Sequence, residues 1–266
     1  MKKILIIGKR GFIGSNLSKH LKLFYSVSHI SFKNLHQIKK KIDSFDYIIN
    51  TSINKKYIEK KYNPQYDNDL KISNLINNNK TVFIFLSTRK IYKSKANIKE
   101  NSKQLPKSNY AKNKLITEKK LFNKLNNYLI ILRISNVIGD KSRIKKIHNT
   151  FIDIFFQNTK KGFLLDNGND YKDFISIDKF CEIIQNIIKK KLIGTFNVSI
   201  GKKIFLNDII RWLNRFNKSK LKIKKRVFKN DCFYLNNKKL MSKIKVNNSI
   251  SDLKKYCLKI SKKSFS

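Results

Sequence analysis

Short, unbroken apolar runs alternate along this chain with stretches in which apolar residues recur every three or four positions. Lys3-Ile4-Leu5-Ile6-Ile7 predicts a buried first strand, and the segment beginning Ser15-Asn16-Leu17-Ser18-Lys19-His20-Leu21 has the spacing of a helix. Tyr25–Phe32 alternates and suits a second strand; Asp46–Thr51, Thr81–Ser87 and Tyr128–Ile134 predict a third, fourth and fifth. Helical spacing fills the intervals at about 66–78 and 110–126. Strands that are apolar throughout, separated by helices, imply a parallel sheet covered on both faces. The expected fold class is therefore α/β, a Rossmann-type doubly wound parallel sheet. Beyond about residue 140 the pattern loses regularity, which suits a small C-terminal substrate-binding lobe. The expected division is a sheet domain over 1–160 and a lobe over 161–266, with segments 171–180 and 194–200 returning to the core.

Between the first strand and first helix lies Gly8-Lys9-Arg10-Gly11-Phe12-Ile13-Gly14. Strand, glycine turn and helix are the context in which a dinucleotide pyrophosphate binds. Glycines let the backbone approach the phosphates, and the helix amino end attracts their charge. The spacing is G-x-x-G-x-x-G, so the general fingerprint is met in part. Downstream, Tyr110-Ala-Lys-Asn-Lys114 places a tyrosine and a lysine four residues apart. On a helix such a pair shares one face and can address one ligand. A phenol in water, with pKa about 10, is a poor base at neutral pH. An adjacent ammonium stabilises the phenolate and brings such a group towards the working range.

Composition narrows the classes. The net charge of +43 invites a nucleic-acid reading, but the excess is lysine, with only seven arginines, and is spread along the whole chain. Diffuse lysines make point contacts with phosphates, whereas base readout favours arginine and aromatic platforms. No specific nucleic-acid partner is expected. Cys181, Cys232 and Cys257 lie far apart, as do the four histidines, so neither set has metal-ligand spacing. No run approaches the roughly 18 apolar residues of a membrane span. With no secretory signal pattern at the amino end, the expectation is a reduced, metal-free, cytoplasmic protein.

Over roughly residues 1–210 these features resemble the extended short-chain dehydrogenases/reductases, the NAD-dependent epimerase/dehydratase group acting on nucleotide sugars. Gly8, Gly11 and Gly14, with Phe12 and Ile13, resemble its phosphate turn. Asp46–Ser52 resembles the strand whose end, at Thr51 and Ser52, passes under the cofactor. Ser87-Thr88-Arg89-Lys90-Ile91-Tyr92 resembles the strand ending in the catalytic hydroxyl, which falls on Thr88, with Ser87 beside the cofactor. Tyr110 and Lys114 resemble the active-site pair. Arg133–Gly139 resembles the loop by the nicotinamide, placing Asn136 at a substrate position. Tyr171-Lys172-Asp173-Phe174-Ile175-Ser176-Ile177-Asp178 resembles an R-D-F-I-x-V-D segment, Lys172 standing for the arginine that meets substrate phosphates. Gly194-Thr195-Phe196-Asn197-Val198 resembles the late G-x-x-N-V strand.

The resemblance implies a catalytic set of Thr88, Tyr110 and Lys114, with Tyr110 as acid/base, Lys114 as ribose clamp and electrostatic tuner, and Thr88 orienting the substrate oxygen. Three departures refine it. No Asp or Glu precedes Asp43, so the second strand has no carboxylate for an NAD ribose, while Arg10 and Lys33 supply cations for a 2′-phosphate. NADP is favoured, with NAD as the alternative. The interval between Phe32 and Asp46 is too short for another strand, which predicts a trimmed sheet edge. Arg89-Lys90 stands where sugar dehydratases of the family carry Asp-Glu, leaving water elimination without its acid. The implied activity is reduction of a 4-keto nucleotide sugar; a 4-epimerase and a non-catalytic NADP-sensing regulator are the alternatives. A homodimer is the assembly the resemblance allows for.

Overall fold

The computed structural model describes residues 1–139, 151–159, 161–166, 170–225 and 231–265. The chain divides into two compact units. The first comprises residues 1–93, 101–134 and 181–196; the second comprises 94–100, 135–180 and 197–266. In chain order the first unit begins β1 (Lys3–Ile7), α1 (Phe12–Leu21), β2 (Ser26–Ile30), α2 (Leu35–Ile38) and β3 (Tyr47–Asn50). It continues α3 (Lys55–Glu59), α4 (Asn68–Ser73), β4 (Val82–Thr88), α5 (Asn109–Leu125) and β5 (Leu129–Ile134). Then come β6 (Asn136–Ile138), α6 (Phe151–Thr159), β7 (Phe163–Asp166), β8 (Tyr171–Lys172), β9 (Phe174–Ser176), α7 (Ile177–Lys189) and β10 (Gly194–Val198). The chain closes with β11 (Ile204–Phe205), α8 (Leu206–Leu213), β12 (Lys222–Lys225), α9 (Lys238–Met241) and α10 (Ile250–Phe265).

The six-stranded sheet runs β10-β5-β4-β3-β1-β2. β2 and β3 both pair parallel with β1, β3 with β4, and β4 with β5. Strand order therefore reverses between β1 and β3. Open α/β sheets bind ligands at such a switch point, beyond the carboxyl ends of the strands. The expected parallel α/β fold is present. Ile4–Ile7 have no exposed surface, and Leu5, Ile7, Ile48, Phe83, Phe85 and Ile131 share one apolar cluster. Each such side chain contributes about 1.5–3 kcal/mol on burial. The predicted edge trimming is also present: between β2 and β3 the chain makes only short helical pieces, so β2 is the edge strand.

Local chemistry fixes the helices that matter for the site. Ser108 caps α5, its hydroxyl accepting from Ala111 N–H at 3.2 Å, and the helix stops at Asn126, whose φ is 38°. Asp67 caps α4 by accepting from Leu70 N–H at 3.0 Å. The interval expected to be helical over about 66–78 is helical only over Asn68–Ser73. Capping by Asp67 starts it there, and a turn takes over beyond Ser73.

The second unit consists of two-stranded pairings, β6 with β9, β8 with β11 and β7 with β12, around its own core. Phe174, Leu206, Trp212 and Leu253 are part of that core. Asp173 is wholly buried and accepts from Leu235 N–H at 2.9 Å and Gly201 N–H at 3.2 Å. Burial pushes its carboxyl up to about 7, against these backbone hydrogen bonds. Asn197, also fully buried, donates to the carbonyls of Ile98 (2.9 Å) and Asn236 (3.1 Å).

Candidate active site

The phosphate-type turn is built around Thr51. Its N–H donates to the Ile7 carbonyl at 2.8 Å and its hydroxyl to the same oxygen at 2.9 Å. The hydroxyl oxygen then leaves no space for side chains on two of the glycines. A Cβ on Gly8, whose φ is 122°, would lie 2.2 Å from it, and one on Gly14 would lie 2.4 Å from it. Gly8 and Gly14 are thus required by the packing of β1, α1 and β3. Gly11 is different: its φ is −80°, and an added Cβ would meet nothing nearer than the Gly8 carbonyl at 3.3 Å. The contact is tight but far short of the clashes at Gly8 and Gly14, so the packing demands glycine less at this position. As the residue before α1, Gly11 also provides no side-chain cap, and the first turn contains no acid. The first-turn amides have no partner within the helix. An amino end of this kind, with a glycine approach, fits a pyrophosphate.

At the sheet edge, the Ile30 carbonyl at the end of β2 accepts from Gly8 N–H (2.8 Å) and Lys9 N–H (3.0 Å), pinning the turn to that strand. Arg10 and Lys33, one in the turn and one three residues past β2, are both exposed. Neither joins an ion pair among the described residues.

From β3 a chain of polar contacts leads to α5. Asn50 donates to Asp69 Oδ1 at 2.8 Å, and Lys114 Nζ donates to Asp69 Oδ2 at 3.2 Å. Ser52 closes the near end, donating its hydroxyl to Asn50 Oδ1 at 2.6 Å and accepting from Asn68 at 3.1 Å. Asp69 and Lys114 are both buried. The ammonium also lies 4.3 Å from the centre of the Phe85 ring and 5.7 Å from that of Tyr57. Burial on its own would lower the lysine pKa, but Asp69, with Tyr110 and Asp67, reverses that and raises it. Burial pushes the Asp69 carboxyl up as well, with Lys114 pulling it back. The charged pair is the state the contacts favour, because Asn50 and Lys114 both donate to the carboxylate. Among the described residues Asp69 is the sole hydrogen-bond partner of Lys114, so two of the three ammonium donors remain for a ligand.

The other expected residues fall as follows. Tyr110 is half-buried one turn before Lys114 on α5. Thr88 ends β4, and its oxygen accepts from Lys90 N–H at 3.2 Å; its own hydroxyl proton goes to no described residue. The Ser87 hydroxyl is engaged by Glu118, and Ser87 is paired in register with Arg133 of β5. Asn136 and Lys172 belong to the second unit. There Asn136 donates to the Asp173 carbonyl at 3.0 Å, and Lys172 pairs with Ile204 across the β8–β11 ribbon. Asp69 was not among the sequence-derived site residues. The signal for it was present: acids are scarce in this chain, 17 against 60 Lys and Arg, and two of them bracket the first position of α4.

Comparison with known proteins decides the family: the model of the NAD dependent epimerase/dehydratase family matches residues 4–199. The chain belongs to that family. Its cofactor is accordingly a nicotinamide dinucleotide, for which the turn and helix end described above are suited. A search of curated proteins returned no match. Among solved structures, the chain is similar to a UDP-N-acetylglucosamine 4-epimerase from Methanobrevibacter ruminantium in complex with UDP-N-acetylmuramic acid. That match has a TM-score of 0.78 and 20% identity, covering 98% of this chain and 97% of the other. It is similar also to a dTDP-4-dehydrorhamnose reductase from Clostridium acetobutylicum (TM-score 0.75, 19% identity, 96% and 98% covered). A third is RMD from Pseudomonas aeruginosa complexed with NADPH (TM-score 0.75, 14% identity, 99% and 100% covered). At these identities the structures speak for the fold. Among the described residues no helix is long and apolar enough to cross a membrane.

Proposed function

We propose that this member of the family is an NADPH-dependent reductase of a 4-keto nucleotide sugar. The observation that carries the reading is the β2 edge. Residues 1–42 contain no carboxylate, and the exposed cations Arg10 and Lys33 stand beside the turn that Ile30 pins. A 2′-phosphate suits such an edge, while a bare ribose finds no carboxylate there. Reductases consume their cofactor and epimerases recycle it, so a preference for NADPH favours reduction. Arg89-Lys90 after Thr88 provides no acid for eliminating water.

When bound, the dinucleotide supplies the hydride. Gly8, Gly11 and Gly14 with the amino end of α1 hold its pyrophosphate, Arg10 and Lys33 its 2′-phosphate, and Lys114 its ribose. Tyr110 gives its phenolic proton to the oxygen of the carbonyl being reduced. Thr88, whose hydroxyl proton goes to no described residue, holds that oxygen in place. The Lys114 ammonium stabilises the phenolate left behind. The substrate roles of Asn136 and Lys172 rest on family resemblance.

Equilibrium titration by nicotinamide fluorescence tests the reading. NADPH should bind more tightly than NADH, and Arg10→Ala should shrink that preference while leaving NADH binding largely intact. A preference for NADH of about tenfold or more, 1.4 kcal/mol, would overturn it. Incubation with a 4-keto nucleotide sugar should then consume NADPH in proportion to product; interconversion of 4-epimers without net consumption would point to an epimerase.

A further inference from the structure

We infer that Asp69 is a positioning residue for Lys114: its buried carboxylate fixes the ammonium between the Phe85 and Tyr57 rings, balances its charge, and leaves two donors for the ligand. The inference rests on the reading of Lys114 as the cofactor-side lysine. The geometry is specific. One carboxylate oxygen takes the Lys114 proton at 3.2 Å and the other takes the Asn50 amide at 2.8 Å, so the acid is held from the end of β3. Asn50 is itself fixed by Ser52, whose N–H donates to Asn50 Oδ1 at 2.9 Å. A flexible four-carbon lysine stem would otherwise sample many rotamers, and burial would favour loss of its proton. With Asp69 present, one donor anchors the head and the charge persists.

The groups facing Lys114 come from four elements. Asp69 lies on α4 and Asp67 at its cap; Tyr110 is on the same helix as Lys114; Tyr57 is on α3, and Phe85 on β4 contributes only its ring. Asp67 is engaged elsewhere, accepting from Thr117 at 2.6 Å and Tyr62 at 3.0 Å. Burial pushes the Tyr57 phenol up, so it stays neutral. Asp69 is thus the anion in direct contact with Lys114, and its removal should lower the pH at which the lysine loses its proton.

The test is Asp69→Asn, an isosteric change, with Asp69→Ser as the second variant should the first fail to fold. Cofactor-free protein is pulsed with a small amine-acylating reagent across the alkaline range, and Lys114 labelling is read by peptide mass spectrometry against exposed Lys112. The Lys114 midpoint should fall by about one pH unit or more, the usual effect of an opposite charge at this range. Loosened packing alone would raise labelling at every pH without moving the midpoint, and that result would overturn the proposal. Titration of NADPH provides the second arm: the alkaline loss of affinity should move to lower pH in the same variant. A moved labelling midpoint with an unmoved NADPH profile would overturn the link to the cofactor. Failure of the wild-type protein to bind NADPH would count against the proposed function, while labelling would still decide what Asp69 does.

Discussion

Two buried ion pairs sit one turn apart on α5, and they are built differently. Glu118 faces Arg133 of β5: the guanidinium donates through Nε and Nη2 at 3.2 and 2.7 Å, and its Nη1 donates to the Tyr92 hydroxyl at 2.8 Å. The Ser87 hydroxyl donates to the same glutamate. Fork geometry and extra donors close this cluster on itself. Lys114 and Asp69 are equally buried, yet joined by one hydrogen bond at 3.2 Å, with spare donors over aromatic rings. Burial and opposite charge do not separate a structural pair from a functional one. In the function proposed above, completeness of partnering does.

The largest contrast comes from breaking each pair. Arg133→Met leaves Glu118 buried without its counter-charge and should lose about 3–5 kcal/mol of stability. Cofactor affinity per folded molecule should stay near that of the wild type. Lys114→Met should lose less stability, because it breaks one hydrogen bond at 3.2 Å whereas Arg133→Met breaks the guanidinium fork and the bond to Tyr92. Its NADPH affinity should fall by about tenfold or more, the worth of a charged hydrogen bond. Denaturant melts and fluorescence titration on both variants read this; equal affinity losses would erase the distinction.

The same logic divides the glycines. Gly14→Ala puts a methyl 2.4 Å from the Thr51 hydroxyl and 2.6 Å from the Gly8 carbonyl, so it should lower the melting temperature by several degrees, the effect of about 1–3 kcal/mol of overpacking. Gly11→Ala meets the Gly8 carbonyl at 3.3 Å and the Thr51 carbonyl at 3.9 Å, far less than at Gly14, and should melt closer to wild type while binding NADPH poorly. Melting curves with and without NADPH distinguish the two. A Gly11→Ala protein that still binds NADPH normally would remove Gly11 from the cofactor site.

A pH-dependent effect is expected in the second unit. Asp173 ionises at about 7 in the folded chain against an ordinary 3.8. Between those values the unfolded chain has given up the proton and the folded chain retains it. Stability should therefore decline as pH rises from about 4 to 7 and level off above. Thermal midpoints across that range should lose this slope in Asp173→Asn; an unchanged slope would assign it to other groups.

Much of the first unit was legible in the sequence because its signals are local. Strand ends fell within a residue or two of Lys3–Ile7, Tyr47–Asn50, Val82–Thr88 and Leu129–Ile134, where unbroken apolar runs meet polar turns. The short interval after Phe32 announced the missing strand. Most of the second unit was not legible: Phe163 pairs with Lys222 and Asn136 with Phe174, partnerships no local period reveals. The Asp69–Lys114 contact spans 45 residues and joins two helices that each look merely amphipathic. Helical spacing put Tyr110 and Lys114 on one face but gave no hint of the anion opposite.

Single-turnover oxidation of NADPH with a 4-keto nucleotide sugar, comparing the wild type with Tyr110→Phe, tests the central claim most directly. The substitution removes one oxygen and should leave melting temperature and NADPH affinity nearly unchanged. The rate should fall by about 10²–10⁴, the worth of a positioned acid. A near-normal single-turnover rate in Tyr110→Phe would take the tyrosine out of the mechanism and contradict the account.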